Sequence, residues 1–355
     1  MMKNSWRALL RSVFVLIVAC LGLMVGAQNA RQLAYATPNS IELYDISANA
    51  TETLVDDAGS IWELLWSPDG ERLVFTADRG GERRLYLLSM DTKDVIQLTK
   101  DVERLIGWMP DSERLLFTRA VVPTQSDIYV VGVDTQVERL LVEDVLSEGY
   151  PGPFLRPDGE QLVFYSEIGR LSIDTDLIRS PNLLTVSPAD PEDTALFLLE
   201  FTSTFGRLDS ITWTQDSEHI AFLGNYNAGW RAHVAPIGGD PQIISGDFQL
   251  QKPIAPAWHP EGTRLAFIDS RSNSLSECLV SVSPSGAQRQ ELVCLENGRF
   301  GPHLAWSPDG KILLYSSTSR IGPFVMAVHM MDVQRRIDIP LRLHPDARAF
   351  AWRPQ

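Results

Sequence analysis

Histidine and cysteine are the residue types of this chain best suited to metal, acid–base or redox chemistry, and their spacing organises little of it. His219, His233, His259, His303, His329 and His344 form no pair with metal-ligand spacing. No Gly-x-Ser-x-Gly elbow, His-Glu-x-x-His helix, phosphate-binding loop or dinucleotide fingerprint is present. With 45 acidic residues, accidental carboxylate pairs are common, so none is assigned to proton transfer. No catalytic residue, metal ligand or cofactor is expected. The cysteines say more. Cys278 and Cys294 flank "SPSGAQ" (283–288), each eight residues from Gly286. A symmetric hairpin would set them opposite each other and join them in a disulfide, the alternative being two half-buried thiols.

A disulfide needs an oxidising compartment, and the first 27 residues read as an export signal. Lys3, Arg7 and Arg11 precede the apolar run 12–27, which ends in small residues before polar "QNARQ". Two alternatives stay open: a lipoprotein signal ending before Cys20, and an uncleaved anchor, although 16 apolar residues are short for a span. Each places residues 28–355 outside the cytoplasm, in the periplasm or at a bacterial cell surface. The formal charge is −14, and removing those three basic residues leaves 28 basic against 45 acidic residues, a net −17. That argues against a nucleic-acid or anionic-lipid partner, since binding phosphates requires a basic surface.

The elements that must position any site come from a repeat. Anchors stand at Trp66, Trp108, Leu155, Trp213, Trp258, Trp306 and Trp352, spaced by 42, 47, 58, 45, 48 and 46 residues. Nine residues after the first six lie Phe75, Phe117, Phe164, Phe222, Phe267 and Tyr315. Each copy reads as four short strands; in the first these are 62–66, 72–77, 84–90 and 94–99. Ser-Pro-Asp-Gly between the first two is a turn: Pro68 presets φ, and Gly70 takes the positive φ that returns the chain to a strand. The repeated aspartates are therefore turn residues, and the tryptophans are core.

Four-stranded antiparallel units at this period describe an all-β, seven-bladed β-propeller in one domain, 28–355. The last copy stops at Gln355, lacking three strands, while the segment from Ala30 has their pattern and puts Tyr35 in the aromatic place. The strand around Trp352 is thus expected to pair with the strands around Tyr35, closing the ring and removing two exposed edges.

The run "WSPDGERLVFTADRGGERRLYLLSMDTKDVIQLT" (66–99) resembles the repeat of TolB-like propellers, over nearly the whole mature chain. It lacks the Gly-His and Trp-Asp pairs of WD repeats. It also lacks room for the TolB N-terminal domain, and seven blades exceed the six associated with TolB. The resemblance implies an extracytoplasmic propeller that binds a partner, often protein, over its channel mouth.

That mouth is where candidates gather. Four residues before their anchors stand Trp62, Arg104, Asp209 and Arg348, with Tyr150 five before Leu155. Tyr226 and Trp230 lie in "GNYNAGWR" (224–231), expected as a long connection on the same face. The stretch 168–181 accounts for the 58-residue spacing. His303, three before Trp306, falls near the channel, where a structural histidine is favoured over a metal ligand. A monomeric, non-catalytic scaffold for a protein or peptide is the expected function. Glycan binding, a channel-sited polysaccharide lyase or hydrolase, and a small-ligand sensor stay open.

Overall fold

A computed structural model describes residues 31–147, 152–166, 182–196, 207–226, 229–237, 239–245, 254–270, 276–296, 298–319 and 326–354. All regular structure among them is β. The strands form six hydrogen-bonded sheets in a propeller arrangement, every pairing antiparallel between neighbours. Five sheets have four strands. The Trp66 sheet runs Ser60–Trp66, Arg72–Arg79, Glu82–Ser89 and Val95–Lys100. The Trp306 sheet runs Gly298–Trp306, Ile312–Ser319, Met326–Asp332 and Ile337–Pro340. The Trp213 and Trp258 sheets follow the same order. The sixth has eight strands, and a single pair, Val145 opposite Ser166, joins its Trp108 and Leu155 portions.

The remaining four-stranded sheet unites the two ends of the chain. Arg348–Trp352 pairs with Gln32–Ala36, which leads to Ile41–Asp45 and Ala50–Val55. Leu33 faces Trp352 and Tyr35 faces Phe350.

The repeat pattern decides what is buried. Phe75, Phe117, Phe164, Phe222, Phe267 and Tyr315 are the largest side chains with essentially no exposure. Truncating any one to alanine should cost about 3–5 kcal/mol. Four of them carry a second ring on the adjacent third strand: Tyr86 on Phe75, Tyr129 on Phe117, His233 on Phe222 and His329 on Tyr315. Two of the six histidines are thus ring-stacking residues of the repeat.

Apolar side chains also fill the gaps between successive sheets. Trp66 and Phe75 meet Ala34 and Leu43, Trp213 and Phe222 meet Val163 and Tyr165, and Leu314 and Met330 meet Leu33. The anchor tryptophans add a directional link. The indole N–H of Trp108 donates to Leu65 O (3.3 Å), that of Trp258 to Thr212 O (3.3 Å), and that of Trp306 to Ala257 O (3.1 Å). Each acceptor is the residue before the preceding anchor.

The turns behave as their composition requires. Asp69 Oδ1 accepts from the Ser67 hydroxyl and the Glu71 N–H, while Gly70 sits at φ +69°. Asp309 repeats this with Ser307 and Lys311. These carboxylates are consumed by their own backbone.

Candidate functional site at the strand-start face

Alternating strand direction brings the starts of the first strands, the second-to-third connections and the ends of the fourth strands to one face. On it, the ladder between Ser60–Trp66 and Arg72–Arg79 shifts register between Ile61 and Glu63. This bulge takes Trp62 out of the pairing and turns it outward, 52% exposed. The side chain is nevertheless fixed. Its indole N–H donates to Asp78 Oδ2 at 2.9 Å, and the Arg83 guanidinium lies 4.3 Å from the ring centre. Arg83 is held in turn by the Glu103 carbonyl (2.7 Å) and by Asp78 (3.6 Å). An exposed aromatic pinned by an arginine loses little freedom when a partner covers it.

The neighbours of Trp62 tie adjacent sheets together. Arg348 Nη2 donates to Ser60 Oγ at 3.4 Å, linking the terminal sheet to the Trp66 sheet. Glu63 Oε2 accepts from the Leu105 N–H (2.9 Å) and the Thr76 hydroxyl (3.2 Å). Burial raises the Glu63 pKa, opposed by those hydrogen bonds and by Arg104 and Arg83. Arg104 Nη1 donates to Gly152 O at 2.8 Å, reaching the next repeat. Arg104 and Arg348 are thus oriented by neutral oxygens, and among the described residues neither makes a salt bridge. Trp62, Arg104 and Arg348 therefore occupy one rim across three successive first strands. Such a rim presents an aromatic face and two cations to a partner.

Other expected site residues fall differently. His303 is largely buried, its ring edge-on to Phe350 with centres 4.8 Å apart, and burial lowers its pKa to about 4. It is a neutral packing residue. Asp209 pairs through its backbone with Leu223, and Tyr226 with Gly229. Tyr150 and the stretch 168–181 lie outside the described residues.

The stretch 224–231, expected as a long connection, is mostly strand: His219–Tyr226 and Gly229–Pro236 continue one ladder almost to its tip. Trp230 consequently packs, half-buried, against the cluster that includes Leu223 and Ala232. It stands in the core margin and not free on a loop, because the ladder runs on past it with Asn225 opposite.

Glu63 escapes sequence reasoning, although a lone acid within the apolar run "WELLW" is its signal. Cys278 faces Cys294 on adjacent strands, and the two form a disulfide. Among the described residues, the group of potential metal ligands is Cys278, Glu291 and Cys294, whose two sulfurs are already joined.

Four-stranded antiparallel sheets in this arrangement define a β-propeller. No protein-family model and no curated protein sequence matches the chain. Solved structures do. TolB from Acinetobacter baumannii aligns at a TM-score of 0.54 with 16% identity, covering 92% of this chain and 68% of that one. The oligogalacturonate lyase of Vibrio parahaemolyticus aligns at 0.58 with 15% identity, covering 86% and 85%. A prolyl endopeptidase aligns at 0.62 with 13% identity, covering 90% of this chain and 51% of that one. At these identities the likeness is one of fold. The chain has a TolB-like propeller fold, a fold that enzymes also use.

Proposed function

We propose that this chain is an exported, monomeric, seven-bladed β-propeller, closed through Arg348–Trp352 and Gln32–Ala36, that holds a protein or peptide partner over the mouth of its channel. The observation that carries the reading is Trp62, half-exposed yet locked by Asp78 and Arg83, beside Arg104 and Arg348. Tryptophan and arginine are the side chains that dominate binding hot spots, and this pair is preorganised.

Several features support the finer points. The eight-stranded sheet hangs together by one residue pair, which suits two blades. Seven apolar clusters lie between successive four-strand groups, the last joining the Trp306 sheet to Leu33. The disulfide is consistent with export, as is the basic-then-apolar start of the sequence.

The test uses the full chain, tagged and expressed in a bacterial envelope, against Trp62→Ala and the double variant Arg104→Ala, Arg348→Ala. Discrete envelope proteins should co-purify with the parent chain and fall at least about tenfold with either variant, the loss of roughly 1.4 kcal/mol or more. Equal recovery from all three would remove the mouth as the binding surface.

A further inference from the structure

Away from the mouth, three side chains of the Trp306 sheet stand in a hydrogen-bonded line. His329 Nε2 lies 3.1 Å from Ser317 Oγ, and His329 Nδ1 lies 3.2 Å from Asp338 Oδ2. With Nδ1–H donating to the carboxylate, Nε2 carries the lone pair and accepts from the serine hydroxyl. The ring cannot swing freely, because it stacks on Tyr315, with centres 4.8 Å apart and planes within 9°. We propose that Ser317 is an activated nucleophile, with His329 as its base and Asp338 orienting the imidazole, and that it is acylated by carboxylic esters.

The arrangement is not imposed by packing. The corresponding positions of the Trp108 repeat hold Arg119, Tyr129 and Glu138, where the guanidinium lies 4.6 Å from the Tyr129 ring centre and makes a 3.0 Å ion pair with Glu138. A stacked ring and an ion pair satisfy that locus without serine or histidine. Serine, histidine and aspartate in bonding order are what acyl transfer needs, irrespective of chain order. The group is also reachable: the His329 and Asp338 side chains are 18% and 35% exposed, and Ser317 is half-buried.

The chemistry balances as ester hydrolysis. Ser317 Oγ attacks the ester carbonyl while its proton passes to His329 Nε2. The tetrahedral adduct collapses, the C–O bond to the alcohol breaks, and the alcohol leaves with that proton. Water then attacks the acyl-serine, giving its proton to His329, and the acid departs as the proton returns to Ser317 Oγ.

A fluorophosphonate ester reads the first step directly, since it phosphonylates an activated serine and releases fluoride. Peptide mass mapping of the labelled full chain should place the adduct on Ser317 and find none there in Ser317→Ala. His329→Tyr keeps a ring where other repeats have tyrosine but removes the base, and should slow labelling at least about a hundredfold. Asp338→Asn should slow it at least about tenfold, with Asp338→Glu restoring much of the rate, a rescue that mere packing would not give. Absence of a Ser317 adduct in the folded chain, under conditions that label a reference serine esterase, would overturn the assignment. So would labelling of His329→Tyr at the parent rate.

Discussion

The indole N–H of Trp66 donates to the carbonyl oxygen of Ala351 at 3.1 Å, although 285 positions separate the two residues. It is the same bond that Trp108, Trp258 and Trp306 make to the repeat before them. The C-terminal strand therefore serves the Trp66 sheet as the Trp66, Trp213 and Trp258 repeats serve the repeats after them. Arg353 extends the link, donating from Nε to Gly70 O (2.9 Å) and from Nη1 to Gln32 Oε1 (2.9 Å).

Ending the chain before Arg348 would strip Gln32–Ala36 of its partner strand and uncover Trp66. We expect a loss of at least about 4 kcal/mol, roughly 6 °C in melting temperature for a domain of this size. Calorimetry of the truncated and full chains measures it.

His233 is buried to 1% exposure against Phe222, and its pKa falls to about 4, first through burial and then through Arg231. The folded value lies below the ordinary 6.5, so the unfolded chain takes up the proton first. Stability from this group is complete above pH 6.5 and drains away as pH falls towards 4, by up to about 3 kcal/mol. Denaturant titrations at pH 7 and 4.5 should show the loss, and His233→Tyr, matching Tyr86 and Tyr129, should reduce it.

Gly310 and Gly80 share a positive φ, +65° and +69°, but not their surroundings. A Cβ on Gly310 would come within 2.0 Å of His259 Nε2, whereas one on Gly80 meets nothing within 4 Å. His259 Nε2 also bonds the Gly310 carbonyl at 3.1 Å, a link between neighbouring turns. Gly80→Ala should cost about 1 kcal/mol from backbone strain alone, and Gly310→Ala about 2 kcal/mol more. Equilibrium unfolding of the two variants separates the terms.

Much of the fold is legible from spacing because a propeller repeats one local rule. Tryptophan, turn and aromatic recur in register, so burial of Phe75 predicts burial of Phe267. The Cys278–Cys294 pairing is legible from their equal spacing about Gly286, although the ladder reaches that register through a shift that skips Leu292. Side-chain relations across strands carry no such period. Trp230 looks like a loop residue until Asn225 is seen opposite it, extending the hairpin. Ser317, His329 and Asp338 are 12 and 9 positions apart, and only the pairing of three strands aligns them. Trp62 could be picked out by place, but its locking by Asp78 and Arg83 depends on a bulge that composition does not announce.

Site-specific photo-cross-linking tests the mouth most directly. A photoreactive residue replaces Glu82, exposed where the second and third strands of the Trp66 sheet meet on the mouth face, in one full chain, and Val137, 66% exposed on a third-to-fourth-strand connection at the opposite face, in another. Irradiation in intact envelopes should give a discrete protein adduct from position 82 that disappears when Arg104 and Arg348 are alanine, and none of that mass from position 137. The same adduct from both positions, or none from position 82, would contradict a binding face at the channel mouth.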